Sequence, residues 1–63
     1  MKRIKFLKYL RNNNCYLLRE GGRHSWYQNK SNNQRSAVPR HPDINEMLTK
    51  KICKDLGIPP INS

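Results

Sequence analysis

The chain has 63 residues, of which 13 are Lys or Arg and 4 are Asp or Glu, for a formal net charge of +9. A chain of this length forms one domain, burying only roughly 60% of its unfolded surface, so a deep substrate pocket is excluded and any site is an open surface. The charge excess is more than solubility needs and points to a polyanionic partner, a nucleic acid or an acidic protein.

Along the chain, Ile4, Leu7 and Leu10 recur every three residues with Phe6 four before Leu10, and Lys5, Lys8 and Arg11 take other faces. This spacing predicts a short amphipathic helix over 2–12. Asn12-Asn13-Asn14 ends it, and Asn14 is the expected residue of positive φ, because Asn tolerates the left-handed region that a helix exit needs. Cys15 to Glu20 reads as a first strand, with Cys15 and Leu17 facing the helices. Gly21-Gly22 then supplies a tight hairpin turn at positions where φ > 0 costs little. Arg23 to Asn29 is a second strand, in which alternation puts His24, Trp26 and Gln28 on one face and Ser25 and Tyr27 on the other. Lys30 to Gln34 is polar enough to be a mobile loop. Gln34 to Val38 is a third strand with Val38 inward, closed by Pro39, which cannot donate to a ladder. Asp43 and Glu46 form an acidic version of the reciprocal capping pattern. Ile44, Leu48, Ile52 and Leu56 repeat every four residues, and Gly57 followed by Pro59-Pro60 is a stop signal, so 44–56 is predicted helical.

The pattern is α+β, α-β-β-β-α over a single domain, 1–63. Two helices with one apolar stripe each and three antiparallel strands close most simply with both helices on one sheet face. The other face stays open, carrying His24 and Trp26. No stretch approaches the roughly 20 apolar residues of a membrane span, and the basic start lacks the apolar core of a signal peptide. The expected location is the cytoplasm, with Cys15 and Cys53 as reduced core thiols, although their pairing in one disulfide stays open.

Gly22-Arg23-His24 with the aromatic Tyr27, Val38-Pro39-Arg40-His41, and Ile52-Cys53-Lys54-Asp55-Leu56-Gly57 together resemble the HicA (YcfA-like) toxins of bacterial toxin–antitoxin pairs. The likeness runs through nearly the whole chain in the same order. It implies a fold similar to the double-stranded-RNA-binding domain, mRNA interferase activity, neutralisation by a HicB antitoxin, and His24 as the catalytic residue. Many members carry Ser between the glycine and the histidine. Arg23 stands there in this chain, so a role for a serine hydroxyl does not carry over.

The residues themselves support RNA chemistry. A neutral imidazole can take the proton of a ribose 2′-hydroxyl, and a guanidinium can stabilise the charge that builds on the phosphorane. His24 is the expected base, with Arg23 or Arg35 as the guanidinium. Lys5 and Lys8 are expected to touch phosphates, a role that solvated helix charges do not require. Gly22, Trp26 and Gln28 are expected to contact RNA or the antitoxin, an exposed indole serving either partner. His41 is a candidate second acid, read first as a linker residue with a structural hydrogen bond. Asp43 and Glu46 at the start of the second helix would repel phosphate where duplex-binding domains place lysines, which favours single-stranded RNA. The two cysteines and two histidines match no compact zinc knuckle, so cleavage is expected to need no metal or other cofactor. Two readings compete with the enzyme: a non-catalytic RNA-binding module, and a degenerate toxin that only binds its antitoxin.

Overall fold

Phe6 and Leu10, four residues apart and so on one helical face, are the two residues that the first helix buries completely. A computed structural model describes residues 1–61. Helix α1 (Arg3–Asn12) is followed by β1 (Cys15–Glu20), β2 (His24–Asn29), β3 (Arg35–Pro39) and helix α2 (Glu46–Leu56). The strands form one antiparallel sheet in the order β1-β2-β3. Phe6 and Leu10 of α1 and Ile52, Cys53 and Leu56 of α2 pack with Cys15, Tyr27 and Val38 of the sheet in one core, which places both helices on the same sheet face. This is the expected α-β-β-β-α arrangement of the double-stranded-RNA-binding fold.

Local chemistry explains most element boundaries. Asn14 has φ 65°, as expected for the exit from α1, and its amide donates to Ser31 Oγ at 2.7 Å. Gly57 closes α2 at φ 70°, the left-handed cap that glycine adopts without strain. The 30–34 loop is tied down rather than loose. Asn29 and Asn32 both donate to the Leu56 carbonyl, at 2.8 and 3.1 Å, so the loop satisfies an acceptor that the end of α2 leaves unpaired.

Four expectations need correction. Ile4 is 82% exposed, and the inward stripe of α1 runs through Phe6 and Leu10 instead. Leu17 is 49% exposed although it pairs with Tyr27 and so shares the helix-side face. It sits on the edge strand beyond the cover of α1, and the register shifts between Leu17 and Arg19, leaving Leu18 as a bulge. Neither Gly21 nor Gly22 has positive φ. Lastly, α2 begins at Glu46, with Asn45 as its cap accepting from the Met47 amide at 2.7 Å. Asp43 is drawn away by the amino terminus. Lys2 and Asp43 form a bridge, Arg3 N donates to Pro42 O at 2.8 Å, and Ile44 N donates to Met1 O at 2.8 Å. Pro42 to Ile44 therefore runs extended, and Ile44 enters the core from outside the helix. Leu48 lies at the rim, and Thr49, Ile52, Cys53 and Leu56 make the buried stripe of α2.

The positive φ of Asn14 sets a prediction. Asn14→Val forces a β-branched residue into the left-handed region and should destabilise the protein by about 1–2 kcal/mol in urea unfolding, whereas Asn14→Gly should be much milder. Equal stability of the two variants would contradict the assigned exit geometry.

Candidate functional site

The corner between β1 and β2 is closed by a backbone bond, Gly21 N donating to His24 O at 2.8 Å, and is braced by side chains. Glu20 and Ser25 are cross-strand partners, and Ser25 Oγ donates to Glu20 Oε1 at 2.7 Å. Arg40, just past β3, donates to the same oxygen from Nη2 at 2.9 Å and from Nε at 3.2 Å. Its remaining donors go to backbone carbonyls: Nη1 to Gly22 at 3.1 Å, and Nη2 to Gly21 and, at 3.4 Å, to His24. Arg3 reaches in from α1, donating to Ser25 Oγ at 2.9 Å and to the Pro39 carbonyl at 2.8 Å. The guanidinium adds donors to three carbonyls of the corner, of which that of His24 also accepts from the Gly21 amide. At Gly21 space is tight: a Cβ there would lie 3.1 Å from the His24 carbonyl and 3.2 Å from Trp26 Nε1, so a larger residue would displace these neighbours slightly. Open space surrounds Gly22.

The hydrogen bonds from Ser25 and Arg40, with the nearby charges of Arg40 and Arg3, hold the Glu20 carboxyl below its ordinary range. Glu20 is thus favoured as the anion that pairs with Arg40. Arg40 is committed to structure, and Arg23 beside it is not: the Arg23 guanidinium has no partner among the described residues.

His24 opens β2 at this corner, its Cα paired with that of Pro39. It is exposed, and its imidazole makes no hydrogen bond to any described residue. Arg23, Arg40 and His41 line a shallow depression of about 370 Å³ on the same corner. His41 lacks the structural hydrogen bond anticipated for a linker residue, again among the described residues. Trp26 and Gln28 follow His24 on the open face, as the alternation requires, and the Arg19 guanidinium stands 5.6 Å from the Trp26 ring centroid. Arg35 pairs with Gln28, four residues along β2 from His24, about 13 Å at the rise of a strand. Arg23 therefore shares the His24 corner and Arg35 does not. Lys5 and Lys8 are exposed on α1, in the layer across the sheet from Trp26 and Gln28.

Sequence reasoning singled out His24, Arg23 and Trp26 and missed the clamp made by Glu20, Arg40 and Arg3. Glu20 carried a usable signal, being one of four carboxylates in a strongly basic chain and directly preceding the glycines. The cysteines take no part. Burial pushes the Cys15 and Cys53 thiols up, and the protonated form is a poor nucleophile. Among the described residues, no group of three or more His, Cys, Asp or Glu could hold a metal ion, and no helix is long and apolar enough to cross a membrane.

A family model for the HicA toxin of bacterial toxin–antitoxin systems matches residues 5–58. This chain belongs to the HicA toxin family. The match includes Glu20, the Gly21–His24 corner, Arg40 and the whole sheet, and leaves out Arg3. Curated proteins and solved structures give no significant match. Membership in a HicA toxin family implies an antitoxin as partner.

The depressed Glu20 carboxyl fixes the sign of a pH effect. Glu20 contributes stability above its ordinary value of 4.5, and that contribution is lost as pH falls through the lower value in the folded protein. Glu20→Gln should therefore flatten the fall in urea midpoint below about pH 5. An unchanged slope in the variant would remove Glu20 from the account.

Proposed function

We propose that this HicA toxin is a metal-independent endoribonuclease, an mRNA interferase, in which His24 is the general base and whose activity a HicB-type antitoxin blocks. The observation that carries this reading is the unpartnered imidazole of His24 beside the unpartnered guanidinium of Arg23, on a corner held by Arg40 and Glu20. A general base must be within reach of the proton it takes, and the corner holds the backbone that presents this imidazole to solvent.

In this reading the neutral imidazole takes the proton of a ribose 2′-hydroxyl. The 2′ oxygen attacks the adjacent phosphorus, the bond to the 5′ oxygen breaks, and a 2′,3′-cyclic phosphate remains. General base catalysis of this kind is worth about 10² to 10⁴-fold. Arg23 stabilises the charge on the phosphorane oxygens, since Arg40 already spends its donors on Glu20 and the backbone. The leaving 5′ oxygen needs a proton. His41 is our candidate for supplying it, supported by its place in the depression that Arg23 also lines. Gly22, with open space around it, lets a phosphate approach the backbone, and Gln28 and Arg35 meet flanking nucleotides. Lys5 and Lys8 then serve phosphates passing the helix layer, outside the reacting centre.

A single-stranded message is the substrate class we favour. Glu46 is acidic in the first turn of α2, and Asp43 and Asn45 precede it, so this helix start offers no basic clamp for a duplex. The place of action is the bacterial cytoplasm, where message and antitoxin meet. An antitoxin seated over His24 and Trp26 would inhibit by occupying the RNA surface.

The test compares wild type and His24→Ala on single-stranded RNA with EDTA present, scoring cleavage and binding separately. We expect wild type alone to cut, with the variant reduced by about 10²-fold or more and its RNA affinity little changed. Equal cutting by both proteins would remove His24 as the base. Binding by both without cutting by either would make the chain a non-catalytic RNA-binding module.

A further inference from the structure

We infer that the open face of the sheet is a second RNA site, a platform on which Tyr16 and Trp26 each stack one unpaired base of a single-stranded RNA. The inference rests on the reading above that RNA is what this toxin acts on, and it extends from Trp26, at the edge of the reacting corner, to residues farther along the sheet.

The register puts the two rings together. Tyr16 pairs with Gln28, and Gln28 lies two residues from Trp26 on the same strand, so all three side chains project from the face opposite the helices. Arg19 pairs with Trp26 beyond the Leu18 bulge, which restores Arg19 to that face. Tyr16 and Trp26 are thus one strand across and two residues along, about 8 Å apart by sheet spacing. That separation makes two platforms rather than one stacked aromatic pair. Tyr16 is 40% exposed, so its ring is open to solvent.

Charge identifies the occupant. Each ring already holds a cation: Arg19 at 5.6 Å from the Trp26 centroid and Lys30 Nζ at 4.4 Å from the Tyr16 centroid. Arg35 adds a third cation in the row of Tyr16 and Gln28. Every outward position of the three strands is free of Asp and Glu, because Glu20, the one strand carboxylate, turns to Ser25 and Arg40. Aromatic rings interleaved with cations and without acids suit a chain of bases and phosphates. When a base arrives, it replaces the cation over the ring, and the released cation pairs with the phosphate that the base brings. Stacking needs an exposed base face, so a duplex, whose bases stack on one another, gains nothing here. Gln28, opposite Tyr16, donates to the Asn33 carbonyl at 3.4 Å and keeps a second amide hydrogen and its carbonyl oxygen for a base edge.

The experiment uses the full chain and a short single-stranded RNA with 2′-O-methyl riboses, which blocks the cleavage chemistry and isolates binding. Trp26 is the only tryptophan, so its fluorescence reports the platform directly. We expect the single strand to quench it and the same strand annealed into a duplex to bind more weakly with little quenching. Tyr16→Thr should lower single-strand affinity by roughly ten-fold or more, and Tyr16→Phe should restore it. Lys30→Glu, which leaves the ring in place, should also weaken binding and reduce its salt dependence, while Met47→Ala on α2 should change neither. Tight RNA binding without quenching, or unchanged affinity in both Tyr16→Thr and Lys30→Glu, would overturn the platform. So would a Tyr16→Thr protein that loses its antitoxin but keeps RNA, since the face would then be a protein interface. Cleavage of an unmodified strand by these variants and by His24→Ala keeps the two claims apart: the platform can fail while His24 still cuts, and the cleavage reading can fail while the platform still binds.

Discussion

Arg40 donates to the Glu20 carboxylate and to the carbonyls of Gly21, Gly22 and His24, so one side chain from the end of the sheet fixes the backbone that carries the exposed imidazole. The ion pair within that set lies at the surface and contributes little alone. What gives the contact its effect is geometry, because a planar guanidinium can satisfy several acceptors in fixed directions, as an ammonium cannot. Arg3 extends the same network into α1 through Ser25 and Pro39, coupling the first helix to the corner. The corner is thereby held from β1, β3 and α1 at once.

This arrangement separates two roles that a basic protein of this size must combine. Structural charge is consumed within the corner, where Glu20 neutralises Arg40. Solvent-facing charge lies outside it, on Arg23 and on the cations of the open face. The sheet keeps the two sides distinct. Tyr27 and Val38 are buried against Phe6, Leu10, Ile52 and Leu56 on the helix side, and the alternate positions of β2 carry His24, Trp26 and Gln28 outward. A slip of one residue in β2 would exchange these sets, burying the imidazole and exposing Tyr27. The core therefore specifies the orientation of the site as well as the stability of the fold.

The sequence made some of this legible and hid the rest for identifiable reasons. Strand β2 could be read because the glycines mark its start and a period of two then separates His24, Trp26 and Gln28 from Ser25 and Tyr27, the division its burial follows. Asn14 and Gly57 could be read because few residues tolerate positive φ. Leu17 and Leu18 could not, since two adjacent leucines carry no alternation and a bulge leaves no mark in composition. The start of α2 was misplaced because Asp43 and Asn45 are both competent caps, and the choice between them was made by pairing with Met1 to Arg3, some 40 residues away. Arg40 was hidden among thirteen basic residues, as its acceptors are backbone carbonyls that every sequence supplies.

The proposed mechanism centres on transfer of a 2′-hydroxyl proton to His24. The most direct measurement is incubation of the full chain with a DNA strand containing a single ribonucleotide, followed by analysis of the product ends. The account predicts one cut, on the 3′ side of that ribose, leaving a 2′,3′-cyclic phosphate. Cutting at deoxynucleotides, or products ending in a 5′-phosphate, would contradict it.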